Sequence, residues 1–451
     1  MTPTMRRLLA DLLRWLAETL VRVYYPRRTL DGAANVPARG PALYVANHPN
    51  GLLDPLVLRV TIGHAVRFLA KSTLWGNPFG RLAMDAFACL PVYRHQDVTV
   101  DEQGKTVTRN EETFARCRAE LAAGAELALY PEGTSHADPQ LKPLKTGAAR
   151  IALSAAAETA AAGRPPIALV PVGLHYDDQS LFRSGVHIVV GPSIDLASFV
   201  PAFTADARQG IEALTTEIRA RLDALVLQAD THELLDGIAR VASWTAATPA
   251  DDTPDRRHTR ARELMDAYAR LRVSDPDHVD RVAASARRYA RVLERLGVGD
   301  PWAVEIPRVT FAGIAAALVR AGGLAPLALW GTVTSFVPYR LAGIVARKLT
   351  KEEDVLSTFK MIIGAAFLTA AWLIEAALIG AFWGLPWALG SLALAPAAGY
   401  AALRFAETAR GVAEAIRHIA WRSRAETTRR LAERRARLVE EVAQALRRAA
   451  S

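Results

Sequence analysis

The chain has 451 residues, 51% of them apolar, and carries a formal net charge of +9. That length allows more than one structural unit, while its only cysteines, Cys89 and Cys117, are too few for a disulfide framework or a thiolate metal cluster. A positive mean hydropathy beside the basic excess favours an anionic lipid surface and disfavours nucleic acid, which would account for the charge alone.

Residues 1–30 place Leu8, Leu9, Leu12, Leu13, Leu16 and Leu20 at helical spacing among Arg6, Arg7, Arg14 and Arg22. This predicts an amphipathic helix, lying on a membrane or packed on its own domain. Its charges interrupt any signal-peptide core. Residues 31–202 read as an α/β domain. A turn-rich connection over 30–40 leads to a strand at 42–46, with further strands at 66–71 and near Pro91–Arg94 and a short helix between them. A helix over 110–123 precedes the strand ELALYPEGTS, which runs into a glycine turn. An Ala-rich helix over 144–162 and strands at 166–176 and 186–194 close the domain. Folds of this kind present ligand groups at strand ends, where the polar turns fall.

Residues 203–300 are helical and charged, without internal repeats, and read as a spacer or packing region. Region 301–403 is membrane-embedded by expectation. From Met361 to Leu403 only Glu375 is charged, and at 1.5 Å per residue this reaches about 64 Å, enough for two crossings of a roughly 30 Å hydrocarbon layer. Gly384–Pro386 would turn that hairpin. Arg340, Arg347, Lys348, Lys351 and Lys360 precede it, and residues 404–451 hold twelve Arg against six Glu. Basic flanks on both sides predict an even number of crossings with both flanks cytoplasmic. The uncharged stretch 321–339, with Pro326 and Pro338, could cross the bilayer or fold back with residues 311–319, and an even count makes 311–339 a re-entrant or interfacial segment or a tight pair. Residues 404–451 read as a basic amphipathic helix.

The chemistry concentrates at two strand ends. In NHPNGLLD, His48 could take a proton from an attacking alcohol, with Asp54 holding the other ring nitrogen. Six residues on a straight helix would turn the pair about 240° apart, so Pro49, Asn50 and Gly51 must curl the chain back. In YPEGTSH, the N–H groups around Gly133 and the Thr134 hydroxyl could hold a phosphate or a developing oxyanion, and Glu132 could bond a substrate hydroxyl. Arg94 and Lys145 are candidate cations for a phosphorylated substrate. There is no P-loop, no G-x-S-x-G elbow and no credible metal spacing. If acyl transfer occurs, direct attack by the acceptor alcohol on a thioester is the economical mechanism, and a thioester donor removes the need for a metal or cofactor.

Taken in order, NHPNGLLDP, PVYR, PEGTSH with PLKTG, and VPVG resemble the four blocks of the glycerolipid acyltransferase family, which contains glycerol-3-phosphate and 1-acylglycerol-3-phosphate acyltransferases. The resemblance covers about residues 35–200. It implies a mixed-sheet α/β acyltransferase domain, here with an N-terminal amphipathic helix, a helical segment and a C-terminal transmembrane region. It also implies acyl transfer from acyl-CoA or acyl carrier protein to a glycerol-phosphate or lysolipid hydroxyl at an anionic phospholipid membrane. By this resemblance His48 is the base and Asp54 its partner, Arg94 and Glu132–Gly133–Thr134 bind phosphate and acceptor, and Pro171 belongs to the donor or packing side. Three departures stand out. Five residues separate His48 from Asp54 where the family usually has four, Ser135 replaces a frequent Arg, and Ala88 replaces a frequent Gly. The alternatives are a hydrolase using water and a non-catalytic lipid-binding scaffold.

Overall fold

The computed structural model describes residues 3–93, 110–248, 251–297, 311–422 and 425–450. It divides into two compact units, residues 1–228 with 352–358, and residues 229–351 with 359–451.

In the first unit, strands β1 (Arg27–Asp31), β2 (Ala42–Ala46), β3 (Arg67–Lys71), β4 (Leu90–Val92), β5 (Glu126–Leu129), β6 (Ala168–Tyr176) and β7 (Gly185–Val190) form one sheet of order β1-β7-β6-β2-β5-β3-β4. All neighbours run parallel except β6 and β7, so the sheet is mixed. The uninterrupted apolar run of β2 lets it lie buried at the centre between β5 and β6, as a strand covered on both faces must. Edge strand β1, RRTLD, is half-exposed and charged at both ends. It carries little apolar signal, and its stretch reads in sequence as the approach to a turn-rich connection.

Helices α1 (Pro3–Tyr24), α2 (Leu53–Ile62), α3 (Pro78–Ala86), α4 (Asn110–Ala122), α5 (Gly147–Ala161), α6 (Val200–Ala205) and α7 (Ala207–Leu225) surround the sheet. The small residues of α5 sink it against the strands, with Ala148, Ala149, Ala152 and Ala155 buried beside Leu153. Leu214, Ile218 and Leu222 recur every four residues on α7 and join the same core. The α/β unit therefore extends beyond the expected end at residue 202. Val21 and Tyr24, at the end of α1, are buried, while Leu8, Leu12 and Trp15 nearer its start are exposed.

The second unit is helical. It comprises α8 (His232–Trp244), α9 (Pro254–Ser274), α10 (Pro276–Leu296), α11 (Phe311–Leu349), most of α12 (Glu353–Trp383), α13 (Leu385–Arg422) and α14 (Ala425–Ala450). The structure corrects two expectations. Residues 311–349 form one continuous helix with Pro326 and Pro338 inside it, not a fold-back pair. Residues 404–451 are not one helix either. Helix α13 continues from the apolar region to Arg422, and α14 buries Leu431, Leu438 and Val442 against Trp244, Tyr289 and Leu293. Gly384, at φ +90°, separates α12 from α13 at the expected turn. Both of these helices are long and apolar enough to cross a membrane.

Candidate active site

Because β2, β5, β3 and β4 are parallel, their carboxyl ends share one edge of the sheet, and the turns after neighbours β2 and β5 lie side by side. Asn47 leaves β2 with its side chain clamped to β6, accepting from the Leu174 N–H at 2.7 Å and donating to the Leu174 carbonyl at 3.0 Å. The next residue, His48, is thereby aimed out of the strand end. Its Nδ1 lies 2.8 Å from Asp54 Oδ2, so the two candidate residues do meet. Gly51 takes φ +40°, the N–H groups of Leu53 and Asp54 return to the Asn50 carbonyl at 2.9 and 3.3 Å, and α2 starts at Leu53. That sharp reversal closes the five-residue gap.

Asp54 is completely buried. Its Oδ2 also accepts the Asn50 N–H at 2.7 Å, and Oδ1 accepts the Tyr176 hydroxyl at 2.6 Å. Three hydrogen bonds, from His48, Asn50 and Tyr176, hold the carboxylate in place at the first turn of α2. Burial, and secondarily the nearby Asp54 charge, push the Tyr176 phenol well above its ordinary range, so it stays a donor. The His48 ring stacks on Tyr130, with centroids 3.9 Å apart and planes 11° from parallel. With Nδ1 donating to the carboxylate, Nε2 is the basic nitrogen, and among the described residues it has no hydrogen-bond partner.

The PEGTSH turn divides its tasks. Glu132 is buried, and its carboxylate faces the protein: Oε1 accepts the His48 N–H at 3.0 Å, while Oε2 accepts the Lys142 N–H at 2.8 Å and meets His136 Nε2. The His136 N–H in turn donates to the His48 carbonyl at 3.1 Å. Glu132 therefore joins the two turns together, and both its oxygens are occupied without a substrate. Gly133 takes φ +71°, and a Cβ there would lie 2.7 Å from Lys145 Nζ, which puts that cation directly over the glycine. Thr134 is half-buried, and Lys145 is exposed, with no ion pair among the described residues. Pro171 is buried within β6 opposite Val45, a packing position. Arg94 lies outside the described residues. Tyr25, Tyr130 and Tyr176 were not singled out from sequence. Tyr130 directly precedes the PEGTSH motif, but no spacing marks Tyr25 or Tyr176.

Burial pushes the Cys89 and Cys117 thiols up to about 12, so both are poor nucleophiles. Among the described residues no His, Cys, Asp and Glu cluster could hold a metal. What the edge offers is an oriented imidazole beside a glycine turn and a lysine, a layout suited to deprotonating a hydroxyl next to an anionic group.

The site thus combines an α/β sheet with a histidine held by a buried carboxylate at the carboxyl edge. Residues 27–175 match the family described as Acyltransferase. An uncharacterized acyltransferase of Schizosaccharomyces pombe is 22% identical over 90% of this chain and 75% of its own length. Glycerol-3-phosphate O-acyltransferase 2 of Saccharomyces cerevisiae is 25% identical over 56% of this chain. A chloroplastic 1-acyl-sn-glycerol-3-phosphate acyltransferase of Arabidopsis thaliana is 29% identical over 32% of it. The chain spans only 36% and 35% of those last two relatives. The crystal structure of the 1-acyl-sn-glycerophosphate acyltransferase of Thermotoga maritima aligns at 14% identity and a TM-score of 0.34, over 50% of this chain and 83% of that one.

Proposed function

We propose that this protein transfers a fatty acyl group from acyl-CoA or acyl carrier protein to the free hydroxyl of 1-acylglycerol 3-phosphate. The observation that carries the reading is the His48–Asp54 contact, closed across a five-residue turn. In the reaction, His48 Nε2 takes the hydroxyl proton as that oxygen attacks the thioester carbonyl. The tetrahedral oxyanion sits by the Gly133 turn. Its collapse breaks the C–S bond, and the departing thiolate recovers the proton from His48. Asp54 stabilises the imidazolium in between. Lys145 supplies charge for the acceptor phosphate.

Glycerol 3-phosphate is the second reading for the acceptor, favoured by the yeast relative of that name, whose similarity extends over more of this chain than the plant one. The apolar helices α12 and α13 support an integral membrane protein, and the basic flanks support a cytoplasmic catalytic domain. The exposed Leu8, Leu12 and Trp15 of α1, with its arginines, support contact with anionic lipid.

The test is purified protein with labelled palmitoyl-CoA and a panel of glycerol 3-phosphate, dihydroxyacetone phosphate and lysolipids, with products identified by mass. Thiol release should match ester formation for one acceptor, and His48→Ala should lower kcat by about 10²–10⁴-fold. Full activity in His48→Ala ends the general-base account. Free fatty acid without ester would indicate a hydrolase, and no thiol release with any acceptor would leave a lipid-binding scaffold.

A further inference from the structure

The first unit includes a short piece of chain from far down the sequence, residues 352–358, well outside the matched stretch 27–175. We propose that this segment is a positioning element for the His48–Asp54 pair, anchored by Ser357. The proposal rests on the catalytic reading above and concerns how that site is held.

Ser357 is fully buried, and Asp354 and Thr358 nearly so. The Ser357 hydroxyl donates to the Gln179 carbonyl. The same carbonyl accepts the Tyr25 hydroxyl at 2.5 Å and the Asn50 amide at 3.3 Å, and the Asn50 amide also donates to the Tyr25 oxygen at 2.7 Å. Four distant parts of the chain thus meet at one carbonyl oxygen: the end of α1, the His48 turn, the loop after β6 and the start of α12. Asn50 is the link to the site. Its side chain is tied into this knot while its N–H holds Asp54 Oδ2 at 2.7 Å.

A second contact reaches the same turn from outside. A Cβ on Gly51 would come within 3.0 Å of the Asp354 carbonyl and 3.2 Å of a Val355 methyl, so segment 352–358 lies directly over the tightest point of the reversal. The turn has no regular secondary structure before α2 begins and gains rigidity from what is packed upon it. Hydrogen bonds below Asn50 and backbone cover above Gly51 restrict it from both sides. Tyr176 completes the arrangement, donating to Asp54 while its ring lies 5.3 Å from that of Tyr25.

The experiment uses the full-length protein with Ser357→Ala, Ser357→Thr, which keeps the hydroxyl, and Val355→Ala, which removes only cover. Measured are kcat and KM for donor and acceptor, the melting temperature, and the rate at which diethyl pyrocarbonate modifies His48 at one fixed pH, read by peptide mass. Ser357→Ala should lower kcat about tenfold, the worth of one well-placed hydrogen bond, with both KM values held within about twofold. His48 should react several-fold faster as the turn loosens, Ser357→Thr should restore both readings, and Val355→Ala should show the same pattern more weakly. Should Ser357→Ala fail to fold, Val355→Ala carries the test alone. A lower melting temperature with kcat and His48 reactivity unchanged would make the segment a mere plug and overturn the proposal. If no acceptor is acylated at all, the His48 modification rate still decides whether the segment governs the turn.

Discussion

Three donors converge on the Asp54 carboxylate, from His48, Asn50 and Tyr176, and only the first of these was legible in the sequence. His48 and Asp54 could be paired because Pro49, Asn50 and Gly51 between them form a recognisable turn. Tyr176 could not, because its role exists only once β6 lies beside β2. Glu132 shows the reverse case. Its motif suggested substrate contact, while burial beside the His48 and Lys142 N–H groups turned its oxygens inward. Tyr176→Phe removes one hydroxyl and keeps the ring. It should cost about 1.5–3 kcal/mol of stability as a lost bond to a charged group, and lower kcat with little change in KM; equal kcat in mutant and wild type would remove Tyr176 from the site. The buried thiols make a separate pH prediction. Burial lifts them in the folded state from the ordinary thiol value of 9.0 to about 12, so between those limits the folded chain binds more protons than the unfolded one. Stability should therefore be level below about pH 9 and fall as pH rises above it, by up to about 1.4 kcal/mol per unit for each thiol. Denaturant midpoints of wild type and Cys117→Ala, compared across that range, should show a shallower decline in the variant.

At the level of elements, strong periodicity was readable and context was not. The central strand, the Ala-rich helix α5 and the break at Gly384 all follow from local composition. Edge strand β1 was missed because RRTLD pairs through its backbone and buries little. Sequence left 311–339 open between a crossing and a fold-back because Pro326 and Pro338 read as breaks, whereas the structure carries both prolines inside one long helix. The glycine turn after β5 makes a sharper test of function. Gly133 holds φ +71° with the Lys145 methylenes across the place a Cβ would occupy. Gly133→Ala should lose about 1–2 kcal/mol to left-handed strain, and the flexible lysine should swing aside. If Lys145 contributes charge for the acceptor phosphate, KM for that acceptor should rise several-fold in Gly133→Ala and in Lys145→Ala alike. KM unchanged in both would take the phosphate away from this turn.

For the whole molecule, sequence order hides the partition. Residues 203–300 look uniform, yet α7 completes the sheet's core while α8 and α10 build another core with α14, which arrives at the far end of the chain. A basic amphipathic stripe cannot reveal whether lipid or another helix covers it, and for α14 the cover is protein. That removes one argument for membrane contact by the C-terminal segment, and leaves α12 and α13 as the two helices among the described residues long and apolar enough to cross a membrane. If α12 and α13 both cross, the two spans joined at Gly384 return the chain to the side it left. Lys351 lies just before α12, and Glu426 opens α14 after α13. Both are exposed, so Lys351→Cys and Glu426→Cys should be equally accessible to a membrane-impermeant maleimide. The native thiols are a low background, since burial keeps Cys89 and Cys117 protonated at neutral pH. Cytoplasmic flanks require both new cysteines to label in inside-out vesicles and neither in right-side-out ones. Opposite labelling of the two would mean an odd number of crossings between them, and labelling of both in right-side-out vesicles would reverse the orientation.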